Sequence, residues 1–239
     1  MSVPVLEASG LTKIFGRRSL APLSILRGIT LMAQPGQAIG LTGPSGVGKT
    51  TLLSCLSLID LPTAGSLRLF GSSTHDLSDR ARSELRREKI GFVFQNFQLL
   101  EDLPTWLNVC IGQLVGPTPL RRLREQALKL LEAVGMEKQA DCAVRQLSGG
   151  EKQRLAFTRA VMGSPDLLFA DEPTSNLDAT SARFLLNQIK ALLGNDVCVI
   201  MATHDPSLLA LCDHIYELRD GRLRHQDGAD SISASRLEE

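Results

Sequence analysis

Gly43-Pro44-Ser45-Gly46-Val47-Gly48-Lys49-Thr50 lies between the strand-like run Ala38-Ile39-Gly40-Leu41-Thr42 and the helix-like run Thr51-Leu52-Leu53-Ser54-Cys55-Leu56. The eight residues fit G-x-x-x-x-G-K-[ST]. The glycines let the backbone wrap a phosphate, so that successive N–H groups and a helix N-terminus face the anion. Lys49 reaches toward the β- and γ-phosphates, and the Thr50 hydroxyl can ligate Mg²⁺. The bare pattern arises by chance in on the order of 1% of chains of this length. The competing reading is a glycine-rich turn, which the flanking strand and helix argue against.

Outward from this loop, short β-type runs alternate with helical patterns, which indicates an α/β class. Strands are expected over 3–8, 25–33, 37–42, 66–70, 90–94, 167–170, 197–202 and 214–218. The runs Leu167-Leu168-Phe169-Ala170 and Val197-Cys198-Val199-Ile200-Met201 do not alternate with polar residues, as suits parallel strands covered on both faces. A helix over 179–193 aligns Ala182, Leu185, Leu186, Ile189, Leu192 and Leu193, with Gly194 as its stop. A second, over 120–134, aligns Leu120, Leu123, Ala127, Leu130, Leu131 and Val134 before Gly135. Strand signals nearly vanish over 95–165, which reads as a helical lobe inserted into the sheet domain. Residues 226–239 are polar and read as a flexible tail.

Composition narrows the function classes. Lys and Arg total 26, as do Asp and Glu, so the chain lacks the basic excess that phosphate-neutralising nucleic-acid binding needs. With 43% hydrophobic residues, disorder is excluded. No apolar run approaches the ~20 residues that span a bilayer. No basic segment followed by an apolar core opens the chain, so the expectation is that it stays where it is made. The five cysteines are odd in number and contain no Cys-x-x-Cys pair, which argues for buried thiols in a reducing cytosol rather than disulfides or zinc.

Two further stretches carry chemistry. Leu167-Leu168-Phe169-Ala170-Asp171-Glu172-Pro173 ends an apolar strand in adjacent carboxylates. At the carboxyl end of a parallel strand they would lie beside the phosphate loop, Asp171 holding Mg²⁺ through water and Glu172 polarising the attacking water. The strand after it delivers Thr203-His204-Asp205 to the same edge, where His204 can contact the γ-phosphate. The second stretch is Leu147-Ser148-Gly149-Gly150-Glu151-Lys152-Gln153-Arg154. Ser148 and Glu151 make a capping box, but two glycines in a first helical turn cost propensity that capping does not require. They allow close backbone approach to an anion at a helix N-terminus.

With these motifs the chain resembles the ATP-binding cassette family, specifically a transporter's nucleotide-binding subunit, over about residues 3–225. The resemblance rests on residues 43–50, Gln95 in Phe94-Gln95-Asn96, residues 147–151, Asp171-Glu172, Ser175-Asn176-Leu177-Asp178 and His204. It implies a P-loop NTPase core with a mostly parallel sheet, an antiparallel β subdomain and an inserted helical subdomain. It implies ATP with Mg²⁺ as cofactors, bound by residues 43–50 and Thr51. Phe15 would stack on adenine, Gln95 would join Thr50 and Asp171 as a metal ligand, and Glu172 and His204 would be catalytic. Ser148, Gly149, Gly150 and Glu151 would complete the ATP site of a second, head-to-tail copy, with Asp178 touching that copy. Transport would require a separate integral-membrane permease, placing the chain on the cytoplasmic face of the inner membrane, with a periplasmic adaptor as a further partner. No nucleic acid is expected.

Asn176, where Gly is more usual, and the run from Lys89 to Leu100 are similar to the lipoprotein-release and macrolide-exporter type. Leu107-Asn108-Val109 departs from that group's common Glu-Asn-Val. Two functions stay open: an ATPase driving export or extraction, and a cell-division-type ATPase that signals across the membrane without transport. The permease is expected to dock near residues 97–106, which carry Leu99, Leu100, Leu103, Pro104 and the single tryptophan, Trp106.

Overall fold

The computed structural model describes residues 3–17, 20–175 and 177–226. Its chain begins with a long antiparallel hairpin, β1 (Leu6–Arg17) and β2 (Leu20–Ala33), and continues through β3 (Ala38–Thr42) into α1 (Lys49–Leu56). Next come β4 (Ala64–Leu69), β5 (Ser72–Ser73), α2 (Asp79–Lys89) and β6 (Ile90–Val93). The lobe follows with α3 (Thr105–Cys110), α4 (Leu120–Ala133) and α5 (Gly149–Val161). The chain then re-enters the sheet with β7 (Leu167–Asp171), α6 (Ala179–Leu193), β8 (Cys198–Ala202), α7 (Pro206–Leu209), β9 (His214–Arg219) and β10 (Arg222–Gln226).

Two sheets result. The larger has the order β10-β9-β3-β8-β7-β6, parallel throughout except for β10. The smaller, β2-β1-β4-β5, is antiparallel. β7 and β8 are buried at every position, as their unbroken apolar runs require. Their alternate residues feed two cores. Leu167, Phe169, Ile200 and Ala202 pack with α1 and the hairpin, while Leu168, Ala170, Val199 and Met201 pack with α5 and α6. A third core, built on Val109, Leu123, Ala127, Leu131, Val144 and Leu155, belongs to the helical lobe.

Several boundaries differ from expectation. β1 and β2 run well beyond 3–8 and 25–33, because register shifts break the hydrophobic alternation that reveals a strand. α2 was not expected; only Leu85 packs against the first core, so it shows no apolar stripe, and the Ser78 cap, the Arg86 bond to Leu58 O and its end charges also hold it. Leu120 is 53% exposed, and α4 buries only Leu123, Ala127 and Leu131 of the expected face. Gln226 pairs with Ile215 in β10 rather than opening a tail; residues 227–239 lie outside the described residues. Gly194 does cap α6, but in right-handed geometry with φ −65°; the left-handed residue is Asp196.

Candidate active site

The phosphate loop crosses from the C-terminal end of β3 to the first turn of α1. Gly43 adopts φ +134°, and a Cβ there would lie 2.4 Å from the Leu218 carbonyl oxygen. Gly48 adopts φ +112°, with a Cβ position 2.6 Å from Ile25 Cγ2. Both therefore need glycine for conformation and for space. Gly48 offers no side-chain cap, so the first-turn N–H groups of α1 are presented to whatever anion the loop encloses.

One pocket is lined by Ser45, Gly46, Gly48, Lys49, Thr50 and Thr51 from this loop. Gln95, Asp171, Glu172, Ser175 and His204 complete it. Lys49 is buried, and its Nζ donates to the carbonyls of Gly43 (2.6 Å) and Pro44 (3.3 Å) and to His204 Nε2 (3.2 Å). An ammonium only donates, so in a hydrogen bond between them Nε2 is the acceptor. Glu172 Oε1 lies 3.7 Å from Nε2 and 3.9 Å from Lys49 Nζ. Val47 turns away and packs against the first core.

Asp171 ends β7 and is buried. It accepts a 2.7 Å hydrogen bond from the Thr50 hydroxyl. Burial lifts its carboxyl above the usual aspartate range, with Thr50 and Lys49 opposing. Thr50, Gln95 and Asp171 line the same pocket with hard oxygen donors, a set that suits Mg²⁺ with water and phosphate completing the shell. Glu172 has φ +43°, a strain of about 1–2 kcal/mol in a non-glycine residue. Its N–H donates to Ala202 O (2.8 Å), and its carbonyl accepts from both the N–H and the hydroxyl of Ser175. The backbone is thus locked with the carboxylate facing the pocket.

Ser148, Gly149, Gly150 and Asp178 lie in a second cavity, with Arg154, Leu177, Thr180, Ser181 and Phe184; the two cavities share no lining residue. The capping box is present. Glu151 Oε2 accepts from the Ser148 N–H (2.8 Å) and hydroxyl (2.7 Å), and the Glu151 N–H donates back to Ser148 Oγ. Those bonds hold the Glu151 carboxyl below its ordinary range. Glu151 serves the cap and does not line the cavity. Asp178 caps α6 through the Ser181 N–H and hydroxyl, which lowers its pKa. The two glycines differ: Gly149 is exposed with nothing within 4 Å of a Cβ, whereas a Cβ on Gly150 would lie 2.6 Å from Ser181 Oγ. Both line the cavity, but Gly150 also serves the close approach of α5 to α6, whereas Gly149 has no neighbour to accommodate.

Phe15 lies on β1, 43% exposed beneath Lys13 Nζ at 5.0 Å, and lines neither cavity. Trp106 packs into the helical lobe with the Arg124 guanidinium 5.4 Å from its ring. Of the large apolar residues in the Phe97–Trp106 stretch, Leu100 is the exposed one, at 47%, beside exposed Gln98, Glu101 and Asp102. Asn108, buried, organises that stretch: its side chain accepts from the Leu100 N–H and donates to the carbonyls of Leu100 and Pro104. The sequence reading missed Gln153. Its amide donates to Pro173 O (2.8 Å), tying α5 to the loop after Glu172. The signal was present, a polar residue in register with Ala156, Phe157 and Ala160.

The sequence profile of the ABC transporter family matches residues 26–175, from β2 through the loop that follows Glu172. The chain belongs to the ABC transporter family. It is an ATP-binding cassette, and ATP hydrolysis is the family's activity. Among its relatives is a lipoprotein-releasing system ATP-binding protein LolD from Hyphomonas neptunium. That protein is 39% identical over 93% of this chain and 98% of its own length. A macrolide export ATP-binding/permease protein MacB from Syntrophobacter fumaroxidans is 41% identical over 86% of this chain, which spans 29% of that protein. The dimeric post-hydrolysis structure of the ATP-binding cassette MJ0796, bound to ADP and Pi, superposes with a TM-score of 0.85. It is 31% identical and covers 93% of this chain and 98% of its own. The LolD and MacB relatives are of the type that the sequence motifs resembled.

Proposed function

We propose that this ABC cassette hydrolyses ATP while paired head to tail with a second copy, and so drives a separate membrane permease in lipoprotein extraction or export. The observation that carries this reading is the division of the site. The phosphate loop, Asp171, Glu172 and His204 converge on one pocket, while Ser148 and Gly149 open into another. One chain thus carries two complementary halves. The loop and Lys49 hold the phosphates, and Thr50, Asp171 and Gln95 hold Mg²⁺, which when bound neutralises phosphate charge. Glu172 orients and polarises water, His204 contacts the γ-phosphate, and Phe15 supplies a π face for adenine at the edge of the hairpin. Residues 1–225 act as one ATP-binding domain, with 95–165 as its helical subdomain.

Among the described residues no helix is long and apolar enough to cross a membrane. Association is proposed to be peripheral, at the cytoplasmic face, through a permease docked at Leu100; the permease selects the cargo, with a periplasmic adaptor as a further partner. The relatives' names favour release or export over signalling without transport. Glu172→Gln tests the core of the proposal. The amide keeps the shape but cannot polarise water, so turnover should fall at least a hundredfold while ATP binding persists. An ATP-dependent dimer should then appear on size-exclusion chromatography. Wild-type turnover would remove Glu172 from catalysis, and an ATP-loaded monomer would remove the dimer.

A further inference from the structure

The connection from Gln95 to α3 runs from the phosphate pocket into the helical lobe. Within it Phe97 (φ +55°) and Gln98 (φ +53°) are consecutive left-handed residues, and neither is glycine. Elsewhere among the described residues, left-handed non-glycine residues stand singly or beside a glycine, as at Phe70-Gly71 and Asp220-Gly221. Such a pair is disfavoured by Cβ–carbonyl contact and persists only under outside restraint.

The Phe97 N–H donates to Phe94 O and the Gln98 N–H to Asn96 O within the turn, and one side chain restrains it from outside. Arg159, in the last turn of α5, donates from its two terminal nitrogens to the carbonyls of Phe97 and Gln98. Its guanidinium also stands 6.0 Å from the Phe94 ring, which stacks at 4.2 Å on Phe92 of β6. Arg159 thus grips the turn on both sides of Gln95. Burial lowers its pKa only to about 10, so the donor fork stays charged at neutral pH. The same helix begins at Ser148, and its Gln153 holds the Glu172 loop.

We infer that Arg159 is a positioning residue for Gln95, fixing the Phe97–Gln98 turn so that the Gln95 amide stays at the pocket edge and follows the helix that carries Ser148 and Gly149. This rests on the proposed role of Gln95 as an Mg²⁺ ligand. A lysine offers its donors from a single nitrogen and cannot reproduce the two separated donors of the planar guanidinium, and a glycine at 98 adopts its part of the turn at less conformational cost. The test uses Arg159→Lys, Gln95→Ala, their double variant, and Arg159→Lys combined with Gln98→Gly. For each, kcat, KM, Mg²⁺ dependence, Mg²⁺-free ATP affinity and thermal unfolding are measured.

Arg159→Lys should lower kcat about tenfold and raise the Mg²⁺ concentration giving half-maximal rate, with Mg²⁺-free ATP affinity within about twofold of wild type. Gln98→Gly should restore most of the loss, and the double variant should be no worse than Gln95→Ala alone. Multiplying losses, wild-type kcat in Arg159→Lys, or a chain that unfolds with and without Gln98→Gly would each overturn the inference. Wild-type turnover in Gln95→Ala would overturn the reading of Gln95 and this inference with it. A loss in Gln95→Ala alone would sink only the inference.

Discussion

Gly149→Ala should make the isolated chain more stable and less active at once. Gly149 is in the first turn of α5, is exposed, and has nothing within 4 Å of a new Cβ. The methyl group therefore costs no packing. Replacing glycine by alanine in a compatible helical position contributes about 0.4–1 kcal/mol, chiefly by restricting the unfolded chain. In a chain of this size that corresponds to a rise in Tm of about 1–4 °C. Gly150→Ala is the internal control. Its Cβ would meet Ser181 Oγ at 2.6 Å and displace a hydroxyl that donates to Asp178 at 3.1 Å. Losing that bond offsets the helix gain and leaves Tm unchanged or lower.

Activity should move the other way. If the Gly149 backbone faces a phosphate of the second copy, the methyl group occupies the approach and ATP turnover should fall at least tenfold. The assays are nucleotide-free thermal unfolding and steady-state ATPase activity over a range of protein concentrations. Full turnover in Gly149→Ala would refute the phosphate-facing role. A lowered Tm would refute the claim that the position is open and helix-compatible.

Asp171→Asn should raise Tm at neutral pH without nucleotide. The raised pKa means that the folded chain holds this proton more tightly than the unfolded chain. The resulting stability is present below the unfolded pKa and is lost as pH rises through the folded value. The ionised group is thus unfavourable at neutral pH, and the gain from the amide should vanish near pH ~4. Mg²⁺-dependent ATP binding should weaken in the same variant, and an unchanged Mg²⁺ dependence would remove Asp171 from the metal site. Leu100→Asp, at an exposed position, should abolish co-purification with the membrane subunit while soluble ATPase activity stays intact. Retained co-purification would place the interface elsewhere.

The sequence by itself determined the chemistry and the α/β class. The phosphate loop, the Asp171-Glu172 strand end and the Ser148–Glu151 cap are each local in the chain. Each depends on residue types at fixed spacing, and unbroken apolar runs could mark β7 and β8 because both faces of those strands are covered. The tertiary structure decided what depends on contacts between segments distant in sequence. The full length of β1 and β2 was hidden because bulges erase the period-two pattern, and α2 because a single packed leucine, Leu85, makes no stripe. The different uses of Gly149 and Gly150 follow from Ser181, some thirty residues away, and the Arg159 clamp from carbonyls about sixty residues upstream. Backbone carbonyls carry no side-chain signature, so a bond to one is invisible until folding brings the two segments together.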